Sequence, residues 1–214
     1  IFSAKAEAAL QNLIPEELIF SMIRGKFVWL FILGGFWLGS ILANKWTQAQ
    51  DKSTQYMGLG IYVLLEAIIF LPIIKIALLY TGTAILSQAG IITLALFGGL
   101  TAVVFLTRVD FSFLRTILVV GGFVALGFYI TKKIFLAENK PLGLIVAGAI
   151  FGFDLGLWFS VAMVALAAGG ILYETYNIKN AYSTDQYVAA ALQLFSSIML
   201  LFWYILRILM SRRD

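Results

Sequence analysis

The sequence predicts an all-α fold, a polytopic bundle of six to seven transmembrane helices, and two observations carry that prediction. Apolar residues fill 62% of the 214 positions, whereas Asp, Glu, Lys and Arg fill only 12%, and the mean hydropathy is +0.97. A water-soluble domain carries roughly a quarter of its residues as charges because its surface needs them. Here the surplus of apolar side chains has to face lipid. The second observation is spacing: the apolar residues fall in runs near the ~20 residues that cross roughly 30 Å of hydrocarbon. Charged or turn-forming residues bound each run.

Residues 1–25 come first. Pro15, Glu16 and Glu17 open a stretch in which Leu18, Ile19, Met22 and Ile23 recur at helical spacing. That pattern suits an amphipathic helix lying in the membrane interface, with carboxylates in its first turn. The chain begins at Ile1 and lacks the basic start and cleavage site of a signal peptide. The segment therefore reads as an interfacial helix, as the remnant of an incomplete first span, or as a tail, and residues 26–214 as the bundle.

Five spans are plain: 27–43, 57–80, 84–107, 113–130 and 187–210. Residues 142–173 are apolar except for Asp154, too long for one upright helix and short for two. They divide into a short or re-entrant piece, 142–153, and a full span, 155–173, with Asp154 as the N-cap of the latter. Trp46, Tyr56, Tyr80, Tyr173, Tyr176 and Tyr187 fall near span ends, where an interfacial aromatic belt belongs. Basic residues such as Arg24, Lys132, Lys133 and Arg207 gather on the side that holds both termini, which favours cytoplasmic termini. Gly35 and Gly39, and the ladder Gly148, Gly152 and Gly156, let helices approach closely.

The chain has no Cys and no His. Disulfides, thiolate metal sites, imidazole ligation and a Ser-His hydrolase pair are excluded at once. An aspartyl protease would need two facing Asp within spans, and Asp154 has no matching partner. The chain is expected not to be an enzyme and to use no cofactor. The net charge of +4 sits in short loops between apolar runs, as in other membrane proteins, so no nucleic-acid partner is expected.

An ionisable group near the bilayer centre costs at least a few kcal/mol and needs a partner, a wet cavity or a function. Glu66 is the clearest case, mid-way along 57–80. It is either functional or a protonated, hydrogen-bonded packing residue. Lys75, nine residues on, lies on the opposite helical face and is expected to snorkel to an interface. Glu174 stands where the span ending at 173 meets the polar stretch 175–179, as a water-accessible group or a helix-end carboxylate. Gln193, Ser197, Tyr204 and Arg207 form one stripe on the last span, lining a pathway or bonding neighbouring helices.

Four segments resemble the Bax inhibitor family, whose bacterial members include the YccA-like proteins. Ile171-Leu172-Tyr173-Glu174-Thr175 is similar to its "ILYDT" motif, and Asp110-Phe111-Ser112-Phe113-Leu114 to its "DFSFL". Residues 52–72, with Tyr56, Glu66 and Pro72, resemble the helix bearing its inward acid, and residues 185–192 the entry to its last helix. The resemblance implies a seven-helix bundle around a central last helix and, in some members, a pH-sensitive calcium leak controlled by two aspartates. Glu174 matches the first of those positions and Ser197 the second, which is therefore not acidic. The first helix matches poorly, and residues 128–143 carry an insertion with Lys132, Lys133, Glu138 and Lys140, a loop suited to a partner.

Two functions follow. One is a pH-sensitive calcium or proton leak through Glu66, Glu174, Ser197 and Gln193. The other is a non-catalytic regulatory or structural subunit of a larger membrane complex, such as a modulator of a membrane protease. The expected setting is the lipid bilayer of a bacterial inner membrane.

Overall fold

The computed structural model describes residues 26–135 and 155–211. Within them are six α-helices: α1 (Lys26–Thr47), α2 (Lys52–Thr81), α3 (Thr83–Leu106), α4 (Leu114–Phe135), α5 (Leu155–Asn180) and α6 (Tyr187–Ser211). A 3-10 turn, Thr184–Gln186, leads into α6. Four stretches are long and apolar enough to cross a membrane: Lys52–Leu78, Thr83–Leu106, Leu157–Asn180 and Thr184–Ser211. The all-α membrane bundle expected from hydropathy is what the chain forms. The interfacial helix over 1–25, the piece at 142–153, the Asp154 cap and the glycines at 148 and 152 lie outside the described residues.

Helices start and stop where the sequence carries caps. The Asp51 carboxylate accepts the Thr54 backbone N–H at 2.9 Å and the Thr54 hydroxyl at 2.9 Å, satisfying donors that the first turn of α2 would otherwise leave open. Those two bonds hold the Asp51 carboxyl below its ordinary range. Helix α2 runs through Pro72, which removes one backbone donor; membrane helices tolerate such a gap where neighbours can compensate. It ends at Gly82, whose φ of 75° is a left-handed conformation that costs glycine little. Ahead of α6, the Ser183 N–H donates to the Gln186 side-chain oxygen at 3.2 Å.

The chain divides into two compact units. The first comprises residues 1–88 and 183–192. Here α1 packs on one face of α2, along which Gln55, Gly58, Tyr62, Glu66, Phe70, Ile73 and Ala77 are buried, three or four residues apart as a single helical face requires. Gly58 makes this approach close: a Cβ there would lie 2.7 Å from the Ala43 carbonyl oxygen and 2.9 Å from Trp46 Cβ. Gly39 abuts the Leu65 side chain, whereas Gly35 meets no atom within 4 Å among the described residues. Among those residues, Gly39 is thus the member of the expected Gly35/Gly39 pair that makes a packing contact. Leu64, at 65% exposure, and Ile68 face outward on α2, as lipid-facing side chains do.

The second unit comprises residues 89–182 and 193–214. Within it α4 packs on α5: a Cβ at Gly121 would run into Leu166, and one at Gly169 would touch Leu118 at 3.6 Å. The outer face of α4 presents Phe123 and Val124, 70% and 66% exposed. Helix α5 buries Ser160, Met163, Ala167, Gly170, Ile171 and Thr175, again at helical spacing.

Candidate functional site

Glu66 belongs to the first unit and sits within the buried stripe of α2, 8% exposed. Tyr62, one turn earlier on that stripe, hydrogen-bonds its carboxyl. The other carboxyl oxygen, Oε2, is buried with no hydrogen-bond partner among the described residues. Lys75, expected to reach an interface, is 8% exposed and engaged in an interaction of its own.

Glu174, Ser197 and Gln193 belong to the second unit. Helix α5 does not end at 173 but continues to Asn180, so Glu174 is an interior helical residue and not a helix-end carboxylate. Backbone hydrogen bonding carries the helix on past the end of the apolar run. Glu174 is half-buried, hydrogen-bonded by Asn177 on the next turn. Its charge reaches Tyr182, whose hydroxyl is pushed above its ordinary value of 10.0 first by burial and then by Glu174.

One turn before Glu174, on the same face, lies Gly170. A Cβ at that glycine would stand 3.1 Å from Ser197 Oγ and 3.7 Å from Ser197 Cβ. Helix α6 therefore lays its hydroxyl directly on the α5 backbone, with a half-buried carboxylate a turn away. A further contact shares this seam: the Tyr204 ring meets Phe159 edge-on, with centroids 6.1 Å apart. Thr175 Oγ1, beside Glu174 in sequence, is buried without a hydrogen-bond partner among the described residues. The polar stripe expected on the last span thus turns Ser197 and Tyr204 toward α5. Gln193, one turn ahead of Ser197, is half-buried and bonded.

A second cluster lies where α3 and α5 end. The Asp110 carboxylate accepts the Ser112 N–H at 2.8 Å, and Ser112 and Tyr176 hydroxyls as well. The Ser112 backbone bond is the largest influence holding the Asp110 carboxyl below its usual range. Phe111 packs edge-on against the Tyr176 ring at 6.3 Å. Lys179 reaches across to the Val104 carbonyl at 3.0 Å, capping the last turn of α3 with a cation where the helix dipole favours one. The two segments that resembled family motifs, 110–114 and 171–178, are therefore physical neighbours, a pairing that no spacing rule could have revealed.

A family model described as inhibitor of apoptosis-promoting Bax1 matches residues 8–214. Among curated proteins, Bax inhibitor 1 of Schizosaccharomyces pombe (strain 972 / ATCC 24843) is 28% identical over 184 residues, 85% of this chain and 61% of the relative. The chain thus spans about three fifths of the length of that relative. No solved structure matches it.

Proposed function

The chain belongs to the Bax inhibitor family of integral membrane proteins, and from that premise we propose that it is a pH-sensitive leak for a hard cation such as calcium, gated at the seam between α5 and α6. The observation that carries this reading is the seating of Ser197 on Gly170, one turn from the half-buried Glu174. Glu174 supplies a charge, and Ser197, Asn177 and Thr175 supply neutral oxygens. Calcium prefers 6–8 oxygens at 2.3–2.6 Å, so an ion held between two of them separates them by about 5 Å. Ser197 Oγ stands 3.1 Å from where a Cβ at Gly170 would lie, so the two helices touch there, and in this reading that contact is the closed arrangement. One carboxylate among neutral oxygens also binds weakly enough to release what it admits, as conduction demands.

Protonating Glu174 cancels its charge and thereby couples flux to pH. Glu66, buried in the first unit with one oxygen unpartnered, would serve as a second cation or proton contact, and Gln193 as a polar lining one turn from Ser197. The bacterial inner membrane is the location that goes with the YccA-like resemblance. No step in this reading is enzymatic. Calcium flux into indicator-loaded liposomes tests it: flux should exceed that of empty liposomes and fall, with a flattened pH profile, in Glu174→Gln. Wild-type flux equal to that of empty liposomes would refute it.

One observation favours a second reading, a regulatory subunit of a larger membrane complex. The position matching the family's second aspartate is Ser197, and a carboxylate beside a hydroxyl lacks the shared proton of a carboxylate pair. Pull-down in mild detergent should then recover a partner, and recovery of this chain alone would count against it.

A further inference from the structure

Where α3 and α5 end, Thr107, Arg108, Asp110, Tyr176, Lys179 and Asn180 line an open cavity of about 280 Å³. Both helices are candidate spans, ending at Leu106 and Asn180. The cavity therefore lies at the depth where hydrocarbon gives way to headgroups. Its rim is apolar and outward-facing: Leu106 is 84% exposed, and Phe105, Val109 and Phe113 are each more than half exposed. Such side chains face acyl chains while the cavity beside them is polar.

The lining is unequal in charge. Arg108 is exposed and makes no hydrogen bond among the described residues, so its planar fork is open to a bidentate acceptor. Lys179 commits one donor to Val104 and keeps two, since an ammonium carries three. Asp110 adds one negative charge to the same lining, already engaged by Ser112 and Tyr176. Two cations and one fixed carboxylate match a group that is itself anionic at one end and cationic at the other. The volume lies near the lower limit of small-molecule sites, roughly 300 Å³, enough for a headgroup but not for an acyl chain.

We propose that this cavity binds the headgroup of a glycerophospholipid, its phosphate on Arg108 and Lys179 and the ammonium of an ethanolamine toward Asp110. The assignment is independent of whether the chain conducts ions. The test titrates lipid-stripped protein in detergent with dihexanoylphosphatidylethanolamine and counts bound lipid by native mass spectrometry. Dihexanoylglycerol, dihexanoylphosphatidylglycerol and inorganic phosphate serve as comparison probes. The ethanolamine lipid should bind best, and Arg108→Gln should weaken it about tenfold, as loss of a charge-assisted bidentate contact does. Arg115→Gln, on α4 and outside the lining, should leave binding unchanged. Asp110→Asn should abolish the preference over the glycerol headgroup. Equal binding of dihexanoylglycerol, an unchanged Arg108→Gln, or an equal loss in Arg115→Gln would overturn the site. Equal binding of the two phospholipids would overturn the ethanolamine assignment, and inorganic phosphate binding as tightly as lipid would overturn the lipid one.

Discussion

Gly58 offers the sharpest test of how α1 and α2 meet. In Gly58→Ala the new methyl would stand 2.7 Å from the Ala43 carbonyl oxygen, 2.9 Å from Trp46 Cβ and 3.0 Å from the Thr47 nitrogen. A carbon rarely approaches a carbonyl oxygen closer than about 3.3 Å, so α1 has to retreat by roughly 0.6 Å against its own backbone. Overpacking of this kind costs about 1–3 kcal/mol. Replacing glycine within a helix returns about 0.5–1 kcal/mol, which leaves a net loss of up to about 2.5 kcal/mol. At about 2–4 °C per kcal/mol for a chain of this size, Tm should fall by up to about 10 °C. Thermal melts of detergent-solubilised protein by circular dichroism read this directly. Gly60→Ala is the control, because no atom lies within 4 Å of its Cβ and only the helical gain remains. A Gly58→Ala variant melting at or above Gly60→Ala would refute the close α1–α2 packing.

Three further outcomes are expected. Asp51→Ala should destabilise α2 and Asp51→Asn should largely preserve it, since asparagine also caps. Because the folded Asp51 carboxyl lies below its ordinary 3.8, its contribution is full above that value and is lost as pH falls through the lower folded value, which acid melts of wild type and Asp51→Asn would separate. The Tyr182 hydroxyl should titrate above 10.0 in NMR of ring-labelled tyrosine, assigned with Tyr182→Phe; Glu174→Gln should move it part of the way back, leaving the larger effect of burial. Lys179→Met should cost about 1 kcal/mol by removing the cation at the end of α3, read as faster hydrogen exchange over residues 103–107.

Hydropathy made the spans legible because lipid imposes a length on apolar runs. It measured the oily part of each helix and not the helix itself. The α2 helix begins at Lys52 and not at 57 because Asp51 caps polar residues into it, and α5 outlasts its apolar run by seven residues, from 173 to 180. Glu174 is legible both from its place at the end of the apolar run and from the motif, yet its position inside a helix depends on that extension. Gly39 was readable as a small residue, but Gly58 and Gly170 were not singled out, since what makes a glycine matter is the atom opposite it. Lys75 shows the same limit: helical rotation gave its direction and said nothing of what covers it. The neighbours Asp110 and Tyr176 are far apart in sequence, and only the fold brings them together.

Because the chain contains no cysteine, the α5–α6 seam can be locked chemically. The Cβ positions at Gly170 and Ser197 are 3.7 Å apart, within the roughly 3.5–4.5 Å that a disulfide spans. The double variant Gly170→Cys, Ser197→Cys, reconstituted in liposomes, should crosslink on oxidation, lose calcium flux, and regain it when a reductant is added. Failure to crosslink would contradict the seam, and flux that is the same before and after reduction would contradict the gate.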